Sequence, residues 1–301
     1  MKEIDLTGFS KITKEEWLRQ AEKQLGDKEA LNALSWLSDQ SIPVDPYYDN
    51  SDLRGLEYLD AFFKTLKPFR WKLYEEIKVD DERSANQIAL EALAGGCDGL
   101  IFTLIRETNP DVLMEEILTE ICDISFQTSG DLDDNFRSIA NTFYLSNSFR
   151  NVISVEGSTK NQADQIVEII RERKNESYII RESDPDFFLE IAAIRALRYL
   201  LSEKTNDDPW SIHIHTTVPF HKEEDHQWFL NTTSGLASIL GGTNSIRFST
   251  ASGSPRISRN VGNLIREESG IEEYTDQCRG AYYVEVLTHK IIESCTKKLT
   301  S

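Results

Sequence analysis

From about residue 70 onward the chain alternates short apolar runs with longer amphipathic segments. The apolar runs, which have the length and composition of buried strands, are residues 99–104, 151–155, 178–180, 212–215 and 245–248. The segments with apolar residues at helical spacing are 111–121, 161–174, 186–201 and 227–240. Strands that alternate with helices of ten or more residues indicate βαβ units, so the pattern predicts an α/β fold with a parallel sheet.

Five or six strands can be placed in this way, whereas a closed (β/α) barrel has eight. We therefore predict a TIM-type (β/α) barrel that is pared down. An open, doubly wound sheet is the alternative. The chain has 301 residues, which is enough for one barrel of about 250 residues and an additional segment.

The first fifty residues follow a different pattern and predict an extended N-terminal arm. Residues 13–16 form a capping-box motif, and apolar residues at helical spacing follow, so we expect a short helix over residues 13–25. Pro43 and Pro46 then favour extended backbone. The arm carries the aromatic residues Trp17, Trp36, Tyr47 and Tyr48. The sequence leaves open whether they pack on their own domain or on a partner chain.

Charge and hydropathy exclude several classes of partner. Lys and Arg number 33 against 51 Asp and Glu, a net charge of −18, which repels phosphate backbones and anionic lipid headgroups. We therefore expect neither nucleic acid nor a membrane as a partner. No apolar stretch approaches the roughly 18 residues of a membrane span, and the N-terminus has no apolar signal core. These features predict a cytoplasmic location.

Four of the five histidines lie between residues 213 and 226. His213 and His215 on one strand would present both imidazoles to the same face, as a metal pair requires. With His221, His226 or a carboxylate as a third ligand, this pattern is compatible with a metal-dependent hydrolase. The interpretation that we favour is structural: one imidazole of the pair is a hydrogen-bonded residue at the mouth of the strand, the other histidines are solvated loop residues, and no metal is bound.

Four segments, in order along the chain, resemble the acyl-CoA mutases of the methylmalonyl-CoA mutase family. They are the leading segment with Trp17, Trp36 and residues 46–48, and then residues 187–196, 236–245 and 267–288. The resemblance runs from about residue 10 to residue 298. It implies a TIM-type barrel over residues 56–301 and, over residues 1–55, an arm that wraps a companion subunit.

The family's reactive residues are missing at the matching positions. Tyr74 stands where the family has an arginine that meets the acyl-CoA substrate, and Glu76 stands where it has a tyrosine. Thr159 replaces a histidine that hydrogen-bonds the substrate carbonyl. A carboxylate at position 76 would repel an anionic acyl group that a guanidinium would bind. We therefore predict no catalytic residues and a vestigial pocket lined by Tyr74, Glu76, Thr159, His213 and His215.

The sequence also contains no DxHxxG motif, which the family uses to ligate cobalamin. The resemblance thus implies a noncatalytic small subunit that binds no cofactor itself and forms a heterodimer with a large catalytic subunit carrying adenosylcobalamin. The alternative is a substrate-binding barrel of an acyl-CoA mutase whose cobalamin is held on a separate chain. Whether the chain has isomerase activity of its own, and whether it forms a homodimer when isolated, is left open.

Overall fold

The computed structural model describes residues 12–38, 42–59, 70–146, 150–155, 161–173, 176, 178–205, 208–220, 227–249 and 255–301. The N-terminal segment contains two helices, α1 (Lys14–Leu25) and α2 (Lys28–Asn32), and two short antiparallel strands, β1 (Trp36–Leu37) and β2 (Pro43–Val44). The predicted capping box is present, since the Thr13 hydroxyl accepts from the Glu16 N–H and the Glu16 carboxylate accepts from the Thr13 N–H. The predicted N-terminal helix is therefore confirmed.

Eight parallel strands follow and form the barrel. Their bounds are β3 (Lys72–Val79), β4 (Gly99–Leu104), β5 (Asp123–Thr128), β6 (Tyr144–Leu145), β7 (Val152–Val155), β8 (Tyr178–Glu182), β9 (His213–Val218) and β10 (Ser245–Phe248). Hydrogen bonds join them in the order β6-β5-β4-β3-β10-β9-β8-β7. Because β10 pairs with β3, the last strand meets the first and the sheet curls into a TIM-type barrel.

Helices cover the outside of the barrel unevenly. They are α3 (Glu82–Ala94), α4 (Pro110–Leu113), α5 (Asp134–Ile139), α6 (Gln162–Glu172), α7 (Phe187–Thr205), α8 (Gln227–Gly241) and α9 (Pro255–Ser269), followed by a 3-10 turn (Ile271–Glu273) and α10 (Tyr282–Thr300). The short helices α4 and α5 are consecutive in the sequence, and β5 lies between them in the chain. Among the helices of the described ranges, none is both long and apolar enough to cross a membrane.

Strands β6 and β7 stand at the two ends of this strand order, and the Asn151 side chain bridges the gap between them. Asn151 Nδ2 donates to the Thr142 carbonyl at 3.0 Å, and Asn151 Oδ1 accepts from the Tyr144 N–H at 2.8 Å. An antiparallel bridge joins Leu145 to Arg150. Residues 146–151 are too few for a crossover helix, because a parallel crossover takes about a dozen residues.

The predicted barrel is confirmed, and its pared-down character lies in the helices and not in the strands. The sequence analysis did not place β3, β5 or β6. Strand β3 mixes charged and apolar residues and β6 has two residues, so neither forms an apolar run. The predicted helix over residues 111–121 is wrong beyond Leu113. Glu116 has a φ of 62°, which interrupts a right-handed helix.

The described residues form four hydrophobic clusters. Two large ones lie between the strands and the surrounding helices, one containing Ile179 and Ile194 and the other containing Leu100 and Phe126. A small one joins α7, α8 and the start of α10, and the last lies inside the barrel and is described with the candidate site below. Most of the buried apolar residues therefore lie outside the barrel lumen, between sheet and helices.

Part of the N-terminal arm packs on α10 of its own chain. Lys290 Nζ donates to the Pro43 carbonyl at 2.6 Å and to Tyr48 Oη at 3.1 Å, and the Tyr48 ring meets the edge of Tyr283. Tyr58 Oη reaches the α10 carboxylate of Glu285 at 2.5 Å. Helix α1, in contrast, has no buried residue. Residues 42–59 thus follow the first of the two alternatives that the sequence left open.

Candidate functional site

Alternate residues of each barrel strand face the lumen, and the residues singled out by the sequence are among them. Tyr74 and Glu76 lie on β3, and His213 and His215 lie on β9. Thr159, the fifth member of the predicted pocket, lies outside the described residues, as do His221 and His226. The site is therefore built from the interior of the barrel and from the ends of its strands.

Large side chains fill the middle of the lumen. The ring of Tyr74 lies 5.2 Å from the ring of His215, which in turn lies 5.9 Å from the ring of Phe143 (centroid distances). All three residues are at most 3 % exposed. Gly99 makes room for this packing, because a Cβ atom there would lie 2.6 Å from Tyr74 Cε1. Among the described residues, these rings therefore occupy the middle of the lumen.

At the N-terminal end of the lumen, Tyr74 belongs to an ionic cluster. Its hydroxyl donates to the carboxylate of Asp123, which also accepts from Lys72 Nζ at 2.6 and 2.8 Å. Burial and the nearby charge of Asp123 raise the pKa of Tyr74 well above its usual value of 10. Tyr74 is therefore a neutral hydrogen-bond donor that holds β3 to β5, and it cannot replace the missing guanidinium.

A single hydroxyl joins the two strand histidines. Ser245 Oγ lies 2.7 Å from His213 Nε2 and 2.7 Å from His215 Nδ1. Because a hydroxyl has one proton, Ser245 donates to one imidazole and accepts from the other. Burial, with a smaller contribution from Arg198, lowers the pKa of His213 to about 4, and burial with the neighbouring His213 lowers the pKa of His215 to about 3. Both rings are neutral at pH 7.

This geometry does not support the metal-dependent hydrolase. Within the described ranges, no group of three or more His, Cys, Asp or Glu side chains is arranged to hold a metal ion. Ser245 is fully buried and His215 is 1 % exposed, so a substrate does not reach the serine and histidine side chains. The structural interpretation expected one hydrogen-bonded imidazole at the mouth of the strand, whereas both rings contact Ser245 near the beginning of β9.

The C-terminal end of the lumen, where barrel enzymes have their active sites, is occupied by a second polar cluster centred on Glu76. Glu76 Oε1 accepts from Thr103 Oγ1 and from Gln127 Nε2, both at 2.6 Å, and Glu76 Oε2 is ion-paired with Arg247 Nη1. Arg247 Nε also donates to Thr217 Oγ1 at 3.2 Å. Burial lowers the pKa of Arg247 to about 10, so Arg247 remains charged at neutral pH and Glu76 neutralises it.

A small cleft opens beside this cluster, between β3 and β10. The two strands pair only as far as Tyr74 and Arg247 and then separate. The cleft has a volume of about 120 Å³, and its lining includes Glu76 and Arg247. Sites for drug-sized ligands have volumes of roughly 300–1,000 Å³. The cleft therefore has room for a small molecule of a few heavy atoms and not for an acyl-CoA.

The structure thus separates the predicted pocket into two layers. Tyr74, His213 and His215 form a packed layer with Ser245, and Glu76 lies in a layer above it with Arg247. The sequence analysis missed Ser245 and Arg247, although both lie in the predicted strand 245–248. Ser245 and Arg247 are the first and third residues of that strand. Because side chains alternate between the two faces of a strand, this spacing predicts that both face the same side of the sheet.

Comparison with known proteins connects this barrel to one family. The family model described as "Methylmalonyl-CoA mutase" matches residues 179–301. Methylmalonyl-CoA mutase of Escherichia coli is 36 % identical over 126 residues, which are 36 % of this chain and 18 % of that protein. The methylmalonyl-CoA mutase small subunit of Porphyromonas gingivalis is 28 % identical over 135 residues, which are 38 % of this chain and 22 % of that protein. The matches thus span about a fifth of the length of these relatives.

Solved structures with a similar backbone have low sequence identity. The carboxyl transferase domain of Rhizobium etli pyruvate carboxylase with pyruvate has a TM-score of 0.40 and 13 % identity, covering 83 % of this chain and 53 % of that chain. A dihydropteroate synthase from Xanthomonas albilineans has a TM-score of 0.43 and 10 % identity, covering 67 % of this chain and 94 % of that chain. The barrel assignment given above comes from the strand order of the chain itself.

Proposed function

We propose, from the premise that residues 179–301 belong to the methylmalonyl-CoA mutase family, that the chain is a noncatalytic small subunit of an adenosylcobalamin-dependent methylmalonyl-CoA mutase, an isomerase. In this proposal it forms a heterodimer with the large catalytic subunit in the cytoplasm and stabilises it. Acyl-CoA and adenosylcobalamin bind to the large subunit. The division into an arm over residues 1–55 and a barrel over residues 56–301 belongs to the same proposal.

The observation that carries the noncatalytic role is the occupied lumen. Tyr74, Phe143 and His215 close its middle, and Glu76 neutralises Arg247 at the C-terminal end. An acyl-CoA carries phosphates and a negatively charged acyl group, and it needs both a channel and free cationic groups. Among the described residues, aromatic rings occupy the middle of the lumen and Arg247 is already paired.

The described histidines do not fit the role of a ligand to the cobalt of adenosylcobalamin. A histidine that held the metal would need an accessible ring nitrogen to donate its lone pair. His213 and His215 lie at the N-terminal half of β9 and bond Ser245, and His289 lies on α10 outside the barrel. This supports placing the cofactor on the partner subunit.

The arm offers the surface for that partner. Leu18, Leu25, Leu34, Trp36 and Leu37 are all exposed between α1 and β1. They all fall between residues 18 and 37 of the sequence, and clusters of exposed large apolar side chains mark interaction sites. We place the contact with the large subunit on this segment, which we call the α1–β1 surface.

Reconstitution with a large mutase chain tests the proposed function. We expect the isolated chain to show no interconversion of methylmalonyl-CoA and succinyl-CoA with adenosylcobalamin, and an equimolar mixture to elute as a one-to-one complex with activity. Sizing of the isolated chain also reports whether it forms a homodimer. Turnover by the isolated chain would overturn the proposal, and acyl-CoA binding to it would favour the substrate-barrel alternative.

Substitutions on the α1–β1 surface test the partner contact. Trp36 is 48 % exposed and Leu37 is 66 % exposed, so Leu37→Asp or Trp36→Asp is expected to change the free energy of unfolding by less than about 0.5 kcal/mol. Each is expected to weaken binding of the large subunit at least about tenfold, because a charge is then buried in an apolar contact. Leu118→Asp, at a residue 58 % exposed on the barrel, is the matched control. Equal affinity of all three variants and the original chain, measured by titration calorimetry, would place the contact elsewhere.

A further inference from the structure

The mouth cluster formed by Glu76, Thr103, Gln127 and Arg247 is arranged around one carboxylate. Thr103 and Gln127 donate to one oxygen of Glu76, and Arg247 is paired with the other. The donors come from three different strands, β4, β5 and β10, while the carboxylate comes from β3. Donors that converge from separate rigid strands form a preorganised site.

The protons of Gln127 and Thr103 can be assigned without conflict. One N–H of the Gln127 amide donates to Glu76 Oε1, and the amide nitrogen also lies 2.7 Å from Thr103 Oγ1. Thr103 accepts there, and its own proton goes to Glu76. Each donor therefore remains oriented toward the position of the carboxylate without needing Glu76 to hold it. Thr217 fixes the Arg247 guanidinium in the same way from β9.

The cleft between β3 and β10 adjoins this carboxylate. Glu76 and Arg247 both contribute to its lining, and its volume of about 120 Å³ lies next to the Glu76 side chain. Shortening that side chain to alanine would join its volume to the cleft. The enlarged space would accommodate a carboxylate group together with a short alkyl chain.

We propose that the C-terminal mouth of the barrel is a carboxylate-binding site that Glu76 occupies in cis, and that a small free monocarboxylate takes the same donors when this side chain is removed. In the unmodified chain Glu76 is an internal ligand that keeps the site closed. A ligand must displace a tethered carboxylate, whose effective concentration is far above that of a free anion. The inference rests on the mouth cluster alone and does not depend on the proposed function.

Thermal unfolding of Glu76→Ala with sodium acetate or propionate tests this inference. We expect Glu76→Ala to bind either anion with a Kd on the order of millimolar. At ten times that concentration its Tm is expected to rise by about 3 °C above its value in sodium chloride of the same ionic strength. The original chain and Glu76→Gln, whose amide fills the same volume, are expected to show no such difference between the two salts.

The double variant Glu76→Ala with Arg247→Met identifies the cation that receives the anion. It is expected to lose the response to acetate. Three results would each overturn the inference. They are a response of equal size in the original chain, a response that survives Arg247→Met, and the absence of any response in Glu76→Ala.

Refolding supplies the readout if Glu76→Ala does not fold without an anion. In that case the soluble yield on dilution from urea is expected to be several times higher in acetate than in chloride. Equal yields in the two salts would contradict the inference. Neither measurement involves a mutase partner, so its failure leaves the proposed function untouched.

Discussion

Replacing Arg195 by methionine is expected to lower the free energy of unfolding by about 3–5 kcal/mol. Arg195 on α7 donates to Asp276 at 2.7 Å and to both oxygens of Glu285 at 3.0 Å, and all three side chains are at most 5 % exposed. Methionine fills a similar volume but leaves two buried carboxylates without their cation. Urea unfolding monitored by circular dichroism measures the loss.

A surface ion pair is the matched control for Arg195. Lys298 Nζ pairs with Asp164 at 2.6 Å, with both side chains exposed. Lys298→Met removes a positive charge in the same way, yet we expect a change below about 1 kcal/mol because solvent screens the pair. Equal losses in the two variants would contradict the assignment of Arg195 as a buried tie between α7, α10 and the segment that contains Asp276.

Acidification from pH 7 to pH 5 is expected to lower the free energy of unfolding by about 2 kcal/mol for each of the two lumen histidines. In the folded chain the pKa is about 4 for His213 and about 3 for His215, against 6.5 for an unperturbed histidine. The unfolded chain therefore binds protons first as the pH falls. The free energy of unfolding is therefore highest above pH 6.5, where the rings are neutral in both states. It decreases as the pH falls from 6.5 toward the pKa values of the folded chain.

Variants separate the histidines from other titrating groups. His213→Asn and His215→Asn are each expected to remove about 2 kcal/mol from the difference between pH 7 and pH 5. Ser245→Ala keeps both imidazoles and removes only the shared hydroxyl, so it is expected to keep most of the pH dependence. If neither histidine variant changes the difference in urea unfolding energies between the two pH values, the folded chain binds protons at these rings as readily as the unfolded chain, and the assignment is contradicted.

The residues that carry the family resemblance are mainly structural. In the segment 187–196, Glu190 accepts from Arg181, and Arg195 joins α7 to α10. In the segment 276–288, Asp276 pairs with Nη1 of that guanidinium and Glu285 pairs with Nη2. A buried charge that loses its partner costs several kcal/mol, so these residues stabilise the fold whatever the chain does chemically. This is why the sequence was more informative about the fold than about activity.

The candidate site was predicted only in part, because residues that are in contact there lie far apart in the sequence. Tyr74, Glu76, His213 and His215 were found because motifs or strand alternation marked them. Their contacts were not predicted, because Glu76 and Arg247 lie far apart in the sequence and meet only through the pairing of β3 with β10. Thr159 stays a prediction, since it lies outside the described residues.

The sequence by itself determined the α/β alternation and the capped helix of the arm. These features depend on residue type and on spacing within one element, which local hydrogen bonding and burial control. Only the tertiary structure decided that eight strands close the barrel, that Ser245 lies between two imidazoles and that Glu76 neutralises Arg247. Each of these depends on which strands become neighbours, and closure of the sheet, a long-range event, sets those neighbours.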